Sequence, residues 1–216
     1  MKAAPREAGS EGSFAERLQG DLLEGKYRPG EWLKQIDLES AYRVNRFEVR
    51  IVLSELAARH LLDHSPNRGY RVANPNHRER EEVLEVLTFL ETGASQTAVM
   101  RATAADVDRF EELVREFDHE VRLGNLPKLP QINGRLHDAL YASCGNELLC
   151  TQIRELRARG TPRTPGTWDT LASVTAGNED HLAMLEALKR RDAEGLGLIV
   201  YNHLNRWRNP SKPFPE

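Results

Sequence analysis

Apolar residues recur at helical spacing along most of the chain and form a strand-like pattern only between about residues 61 and 72. Phe14, Leu18 and Leu22 form the first helical stripe, and a short helix is expected around Leu38. A third helix has its apolar positions on one side, at Val49, Val52, Leu53 and Leu56. The pattern therefore predicts three helices followed by a β-hairpin within the first third of the chain.

Turn and capping residues separate these elements. Arg28-Pro29-Gly30 is a typical turn sequence, because proline fixes φ and glycine permits the next bend. Asn45 is a suitable N-cap for the third helix. Residues 65–69, SPNRG, predict the tight turn of the hairpin. Helix, turn, helix and hairpin in this order predict a winged helix-turn-helix, which is typical of a DNA-binding regulator.

Basic residues concentrate in the same segment. Between residues 43 and 71 there are six arginines and three acidic residues, whereas the whole chain has a net charge of −3. Such a local basic patch suits binding to the phosphates of double-stranded DNA, although a solvated face would have a similar composition. The candidate DNA-binding residues lie in the turn, at the start of the third helix and at the hairpin tip: Arg43, Asn45, Arg46, Phe47, Arg50, Asn67, Arg68 and Gly69.

The pattern after Val72 is helical throughout. Helices are predicted over about 77–101, 104–122, 131–143, 146–158, 177–190 and 193–207, with a loop over 160–168. Thr103 and Asp106 predict a capping box for the second of these. The fold class is therefore mainly α: a winged helix-turn-helix over 14–74 and a bundle of six or seven antiparallel helices over 75–210, after a disordered tail over 1–13.

Composition fits a globular protein and excludes several classes. Hydrophobic residues make up 39% of the chain and charged residues 29%, and no run approaches the length of a membrane span. The first residues lack the apolar region of a secretory signal, so we expect a cytoplasmic protein. Cys144 and Cys150 do not have zinc-ribbon spacing, and reduced thiols that pack in the core are expected.

Three histidines in the helical half form a second candidate site. His137, His181 and His203 each lie on a predicted helix among apolar neighbours. Asn133 precedes His137 by four residues, so both side chains share one face of their helix. Converging imidazoles would suit zinc or nickel and leave positions open for oxygen atoms of a ligand. A histidine of this kind taken alone is more often a hydrogen-bonded core or surface residue than a ligand.

The N-terminal third resembles the GntR family of bacterial transcription regulators. The resemblance rests on Pro29-Gly30, Val44-Asn45-Arg46, Val49-Arg50 and the wing sequence over 68–72, RGYRV, in the family's order. Phe47-Glu48 stands where the family commonly has Thr-Pro, so a negative charge lies near the expected DNA-facing surface. The resemblance implies an operator sequence that differs from the common one.

The helical half resembles the FCD effector domain of the FadR-like branch of that family. The matching residues are Asn133, Leu136-His137, Cys144-Gly145-Asn146, His181, Ala187, Asp192 and His203. The resemblance implies three histidine ligands for a divalent metal, His137, His181 and His203, with Asn133 at a position where aspartate is usual. A neutral amide is a weaker ligand than a carboxylate. Leu87 stands where an arginine often lines the effector pocket.

The resulting expectation is a ligand-responsive transcription regulator. A homodimer would bind a pseudo-palindromic operator, and a small organic-acid effector bound through the metal would change its DNA affinity. Two alternatives stay open. The three-histidine domain could be a metal-dependent hydrolase or dioxygenase, although no nucleophile elbow, phosphate loop or HExxH motif is present. The chain could also be a former regulator that no longer binds DNA.

Overall fold

The computed structural model describes residues 12–23, 25–160 and 171–206, and these form two compact units that divide between Asn74 and Pro75. The expected tail over 1–13 lies almost wholly outside these ranges, as does most of the expected loop over 160–168. The described residues are mainly helical, with one small antiparallel sheet. No helix among them is long and apolar enough to cross a membrane.

The first unit is a winged helix-turn-helix, as predicted. Its elements are α1 (Phe14–Leu23), β1 (Trp32–Leu33), α2 (Gln35–Tyr42), α3 (Arg46–Ala58), β2 (Leu62–Ser65) and β3 (Gly69–Val72). The apolar sides of the three helices pack together and form its core, in which Leu18, Leu38 and Leu53 are buried. This packing fixes which face of α3 remains exposed.

The sheet has one strand more than the predicted hairpin. Strand β3 pairs with β2 on one side and with the short strand β1 on the other. β1 follows the turn over 28–31, in which Glu31 N donates to Arg28 O at 2.9 Å and Gly30 has φ of 80°. A φ of this sign is required at the third position of a type II turn, where glycine carries little strain. β1 has only two residues, which is too short to show an alternating pattern.

In the part of the second unit that the structure describes, six α-helices form a bundle. They are α4 (His77–Arg101), α5 (Ala104–Arg122), α6 (Leu129–Ala142), α7 (Glu147–Gly160), α8 (Leu171–Lys189) and α9 (Ala193–Arg206), with a 3₁₀ turn over Leu126–Lys128. The predicted capping box of Thr103 and Asp106 is confirmed at the start of α5. The core is formed by aliphatic and aromatic side chains such as Phe110, Phe117 and Leu140.

Two helices of the bundle begin earlier than the sequence pattern predicts. α6 begins at Leu129 rather than near 131, because Pro130 lies in its first turn, where the missing N–H has no intrahelical partner to lose. α8 begins at Leu171 rather than near 177, and its buried face starts with Val174. The bundle places His137 on α6, His181 on α8 and His203 on α9.

Candidate functional site

The start of helix α3 is fixed by a reciprocal cap, as predicted for Asn45. Its side-chain oxygen accepts hydrogen bonds from the backbone N–H groups of Phe47 and Glu48, both at 3.0 Å. Glu48 Oε2 in turn accepts from Asn45 N at 3.1 Å and from Asn45 Nδ2 at 2.6 Å. Three of the four N–H groups that a helix start leaves without an intrahelical partner are thereby satisfied.

The face of α3 opposite the core presents both basic and apolar side chains. Arg46, Phe47 and Arg50 are exposed, and Phe47 is 71% exposed despite its large apolar ring. Ile51, one turn beyond Phe47, is 42% exposed. A helix that shows arginines and apolar groups together on its exposed side can contact phosphates, base edges and thymine methyl groups.

Helix α3 and the wing enclose one cleft of the first unit. Its lining includes candidate residues from both elements together with two aromatic rings of the wing: Gln35, Phe47, Arg50, Ile51, Ser54, His64, Gly69 and Tyr70. The His64 and Tyr70 rings lie 4.7 Å apart between centroids. The structure therefore brings Phe47, Arg50 and Gly69 to one surface, whereas Arg43 is not part of this lining.

The wing tip is a tight turn with two residues at positive φ. Asn67 has φ of 63° and Gly69 has φ of 94°, and Arg68 N donates to Ser65 O at 3.1 Å. The Arg68 guanidinium lies 4.7 Å from the ring centroid of Trp32, within range of a cation–π contact. Arg43 has φ of 56° at the C-cap of α2. Asn67 and Gly69 tolerate this backbone region, whereas arginine rarely adopts it.

The three candidate histidines of the second unit converge in the bundle core. His137, His181 and His203 are 1%, 0% and 7% exposed. Each offers a ring nitrogen, and these three atoms lie within 4.8 Å of one another. The ring centroids are separated by 5.3 Å (His137–His181), 5.2 Å (His137–His203) and 5.0 Å (His181–His203). Such spacing allows three imidazole nitrogens to bind one ion.

Different contacts orient the three rings. His203 Nδ1 lies 2.9 Å from Asp180 Oδ2, and Asp180 Oδ1 accepts a hydrogen bond from Arg206 at 2.5 Å. His181 instead packs edge-on against the Phe117 ring at 4.7 Å. A carboxylate on one nitrogen of a histidine leaves the other nitrogen as the available ligand atom. This contact leaves Nε2 as the nitrogen of His203 that is available to an ion.

Burial keeps two of the imidazoles uncharged. It lowers the pKa of His137 well below its ordinary value, and the positive charge of Arg157 lowers it further. The pKa of His181 is likewise lowered well below its ordinary value, first by burial and then by His203 and Arg157. A neutral imidazole retains the lone pair that a metal requires, so this environment favours the ligand form.

Several polar atoms in this core fit a bound ion. His137 Nε2 and both nitrogens of His181 are buried without a hydrogen-bond partner among the described residues, and so is Asn133 Oδ1. Asn133 lies one helical turn before His137 on α6. Buried polar groups are nearly always satisfied, and a bound ligand would explain this cluster of unsatisfied polar atoms. Imidazole nitrogens with an oxygen donor suit zinc or nickel.

Sequence patterns alone did not indicate the charged groups around the histidines. Glu91 on α4 is fully buried and binds Arg157 of α7, while Asp180 and Arg206 border His203. The one available sign was an acidic residue, Glu91, within the buried stripe of α4. The arginine near His137 is Arg157, which comes from α7. Leu87, at the α4 position where the family resemblance implied an arginine, is a core residue.

Two family models match successive parts of the chain. Residues 12–72 match the model described as bacterial regulatory proteins, gntR family. Residues 82–206, more than half of the chain, match the model of the FCD domain. The two matched ranges correspond to the two units of the structure.

Curated relatives are regulators by name. The Nta operon transcriptional regulator of Aminobacter aminovorans is 26% identical over 184 residues, covering 83% of this chain and 84% of that protein. The HTH-type transcriptional repressor GlaR of Escherichia coli K12 is 25% identical over 196 residues, covering 87% of this chain and 89% of that protein.

Solved structures share the fold. E. coli McbR/YncC superposes with a TM-score of 0.84 at 22% identity, covering 91% of this chain and 94% of that one. A protein of Rhodococcus sp. RHA1, described as a putative transcriptional regulator GntR, superposes with a TM-score of 0.77 at 20% identity, again covering 91% of this chain and 94% of that one. At these identities the likeness concerns the fold alone.

Proposed function

The chain belongs to the gntR family of bacterial regulatory proteins and carries an FCD domain, and from this premise we propose that a small carboxylate, bound in its helical domain beside a divalent metal, controls its affinity for operator DNA. Membership of this family places the chain among transcription regulators rather than enzymes. The observation that carries the ligand proposal is the cluster of three buried histidines with unsatisfied ring nitrogens.

The exposed face of α3 is the proposed DNA-reading surface. Arg46 and Arg50 would contact phosphates or guanine edges from the N-terminal half of the helix, which enters the major groove in helix-turn-helix proteins. Phe47 and Ile51 lie on the same exposed side and would contact thymine methyl groups. Asn45 would act mainly by fixing the start of the helix.

The wing and the turn before α3 would add contacts to the DNA backbone. Arg68 is exposed at the tip, and its stacking on Trp32 holds the guanidinium beside the sheet. Asn67 and Gly69 form the turn that presents Arg68, and Arg43 is exposed at the end of α2. An arginine in a wing can reach a phosphate or a narrow minor groove. These contacts would raise affinity without selecting the sequence directly.

In the helical domain, His137, His181 and His203 would hold the metal, zinc or nickel, with Asn133 as a fourth, weaker ligand. When bound, the ion would supply a Lewis-acidic centre with positions open to carboxylate oxygens. Asp180 would keep the His203 ring oriented, and Phe117 would keep the His181 ring in place. The buried pairs Glu91–Arg157 and Asp180–Arg206 each combine one negative and one positive side chain.

The charges of the side chains around the proposed metal site indicate the class of effector. Each buried acid is matched by an arginine, the imidazoles of His137 and His181 are neutral and Asn133 carries no charge. A bound divalent ion would therefore keep its full positive charge inside the bundle. Burying an uncompensated charge is costly, so an anionic ligand is favoured over a neutral one. A small organic acid with more than one oxygen donor fits this requirement.

The proposed assembly is a homodimer formed by the helical domain. On α4, Phe89 is 73% exposed and Met100 is 78% exposed, and on α9, Leu198 is 60% exposed and Tyr201 is 49% exposed. Helices α4 and α9 pack against each other in the bundle. Exposed apolar groups concentrated on neighbouring helices often mark a protein interface. A twofold dimer would match a pseudo-palindromic operator.

The test is a selection of bound duplexes from a random-sequence DNA pool with the full-length protein, followed by elemental mass spectrometry of the protein purified without chelator. We expect an enriched pseudo-palindrome and close to one divalent ion per chain. His181→Ala should lose the ion, while His119→Ala, at an exposed position of α5, should retain it. Failure to enrich any sequence would reject DNA reading. Equal metal content in wild type and His181→Ala would reject the histidine site.

A further inference from the structure

Glu91 connects a buried ion pair to one of the candidate metal ligands. Its carboxylate, which is fully buried on α4, accepts hydrogen bonds from Arg157 Nε at 2.7 Å and from a terminal guanidinium nitrogen of Arg157 at 2.5 Å. The Tyr141 hydroxyl donates a third hydrogen bond to Glu91 Oε2 at 2.6 Å. The same hydroxyl lies 3.2 Å from His137 Nδ1. Four side chains from α4, α6 and α7 therefore form one continuous chain of contacts.

The direction of these hydrogen bonds follows from counting protons. A guanidinium only donates, and a carboxylate paired with it in a two-point contact only accepts. The hydroxyl of Tyr141 has one proton, and that proton is used in the hydrogen bond to Glu91. Its oxygen can therefore only accept from His137, which means that His137 Nδ1 carries a hydrogen. In a neutral imidazole the lone pair is then on Nε2.

His137 Nε2 is therefore the ring nitrogen left to bind an ion. It is buried and has no hydrogen-bond partner among the described residues. The ring itself lies nearly parallel to that of Tyr141, with an interplanar angle of 28° and a centroid distance of 5.8 Å. The contact with Tyr141 thus fixes both the tautomer and the direction in which the free nitrogen points.

We propose that Tyr141 and Glu91 are positioning residues for His137, holding it in the Nδ1–H tautomer so that Nε2 is ready to bind the metal. This inference rests on the metal site of the proposed function. Hydrogen-bonded partners of this kind fix the ring orientation of metal-binding histidines. Arg157 completes the arrangement by keeping Glu91 an acceptor.

His203 shows a similar arrangement built from different residues. Here the carboxylate is that of Asp180, which contacts His203 Nδ1 directly at 2.9 Å. Asp180 is paired with Arg206, as Glu91 is with Arg157. Two of the three histidines are therefore oriented through Nδ1 by a buried carboxylate that has an arginine partner. A purely structural ion pair between Glu91 and Arg157 would not require the additional contact through Tyr141 to a histidine.

The test uses Tyr141→Phe, which removes one hydroxyl and keeps the ring and the Glu91–Arg157 pair. Zinc affinity is measured on the full chain by competition with a chromogenic chelator. We expect a loss of roughly 10- to 100-fold. Tyr27→Phe is the matched control, because it also removes one hydrogen-bonded tyrosine hydroxyl but lies in the DNA-binding unit, and its zinc affinity should equal that of wild type. Equal zinc affinity in wild type and Tyr141→Phe would overturn the inference.

A second measurement separates this inference from the metal site itself. Nitrogen-15 NMR of the histidine side chains in the metal-free protein reports which ring nitrogen carries the hydrogen, and His137→Ala identifies the signal. We expect Nδ1–H for His137 in wild type and a mixture of tautomers in Tyr141→Phe. Nε2–H in wild type would overturn the inference even if Tyr141→Phe fails to fold. Nδ1–H in a wild-type protein that binds no zinc would support the positioning role and reject only the metal.

Discussion

The Glu48 carboxylate and the Asn45 side chain cap the start of helix α3 together, with Glu48 Oε2 2.6 Å from Asn45 Nδ2 and 3.1 Å from Asn45 N. From the sequence, Glu48 placed a negative charge near the expected DNA-facing surface. The structure shows this carboxylate engaged at the positive end of the helix dipole, where an acidic residue is favourable. Glu48 thus stabilises the helix that carries Arg46, Phe47 and Arg50.

The first prediction concerns this cap. Asn45→Ala removes the acceptor for two backbone N–H groups and should lower the free energy of unfolding of the DNA-binding unit by about 1 kcal/mol. Asn45→Ser keeps a capping oxygen and should retain most of that stability. Urea denaturation followed by the fluorescence of Trp32, in a background where the other two tryptophans are replaced by phenylalanine, measures both. Equal losses in the two variants would show that the cap does not determine the stability of α3.

The second prediction concerns the charge on the exposed face of α3. Arg50→Ala should weaken binding to the selected operator about tenfold or more at fixed salt, because a good base contact is worth about 1–3 kcal/mol. Arg115→Ala changes the net charge by the same amount at an exposed position of α5 and serves as the control. Fluorescence anisotropy gives the dissociation constants. If the two variants bind equally, Arg50 has no specific role in DNA binding.

The third prediction concerns the apolar part of that face. Phe47→Ala should weaken operator binding without changing the slope of affinity against salt concentration, since an apolar contact releases no counterions. Replacing thymine by uracil in the operator removes only the methyl group and should weaken wild type more than Phe47→Ala. If the replacement of thymine by uracil lowers the affinity of wild type and of Phe47→Ala by the same factor, Phe47 does not contact a thymine methyl group.

The fourth prediction separates binding from stability at the turn before α3. Arg43 has φ of 56°, a region that costs a non-glycine residue about 1–2 kcal/mol. Arg43→Gly removes this strain but adds freedom to the unfolded chain, worth about 0.4–1 kcal/mol. We expect unchanged or slightly higher stability together with weaker DNA binding. Denaturation and anisotropy on the same sample test both parts. Unchanged affinity would remove Arg43 from the proposed DNA contacts.

Local patterns predicted the elements of the fold better than they predicted the surroundings of the histidine site. The caps at Asn45 and Thr103 follow from spacings of three residues, which a sequence shows directly. Glu91 and Arg157 are 66 residues apart, and Asp180 and His203 are 23 apart. Such pairs depend on how helices pack, and no local spacing encodes them. Strand β1 was missed for a related reason, because two residues form a strand only when β3 lies beside them.

The three histidines show what residue type can and cannot indicate. Three predicted helices carrying one buried imidazole each pointed to a common site, and the structure brings the rings together. The roles of individual nitrogens could not be predicted, because they depend on distant acids and on Tyr141. The contact between Tyr141 and His137 does have local spacing, four residues along α6, but many such pairs occur on helices without a functional meaning.

The last prediction concerns the pH dependence of stability in the metal-free protein. Burial lowers the pKa of both His137 and His181 well below 6.5 in the folded state. The unfolded chain then binds protons near pH 6.5 that the folded chain does not bind. The free energy of unfolding therefore rises with pH wherever the unfolded state holds more protons. The contribution of the two histidines is fully present above pH 6.5 and is lost as the pH falls below it.

With a chelator present, the free energy of unfolding of the helical domain should fall below pH 6.5 by up to about 1.4 kcal/mol per pH unit for each of the two histidines. Urea denaturation followed by far-ultraviolet circular dichroism, from about pH 8 to about pH 5, measures the slope. His181→Leu should remove about half of it, because one buried imidazole is lost. His119→Leu, at an exposed position of α5, is the matched control. A slope that is the same in wild type and His181→Leu would mean that His181 is not held neutral in the bundle core.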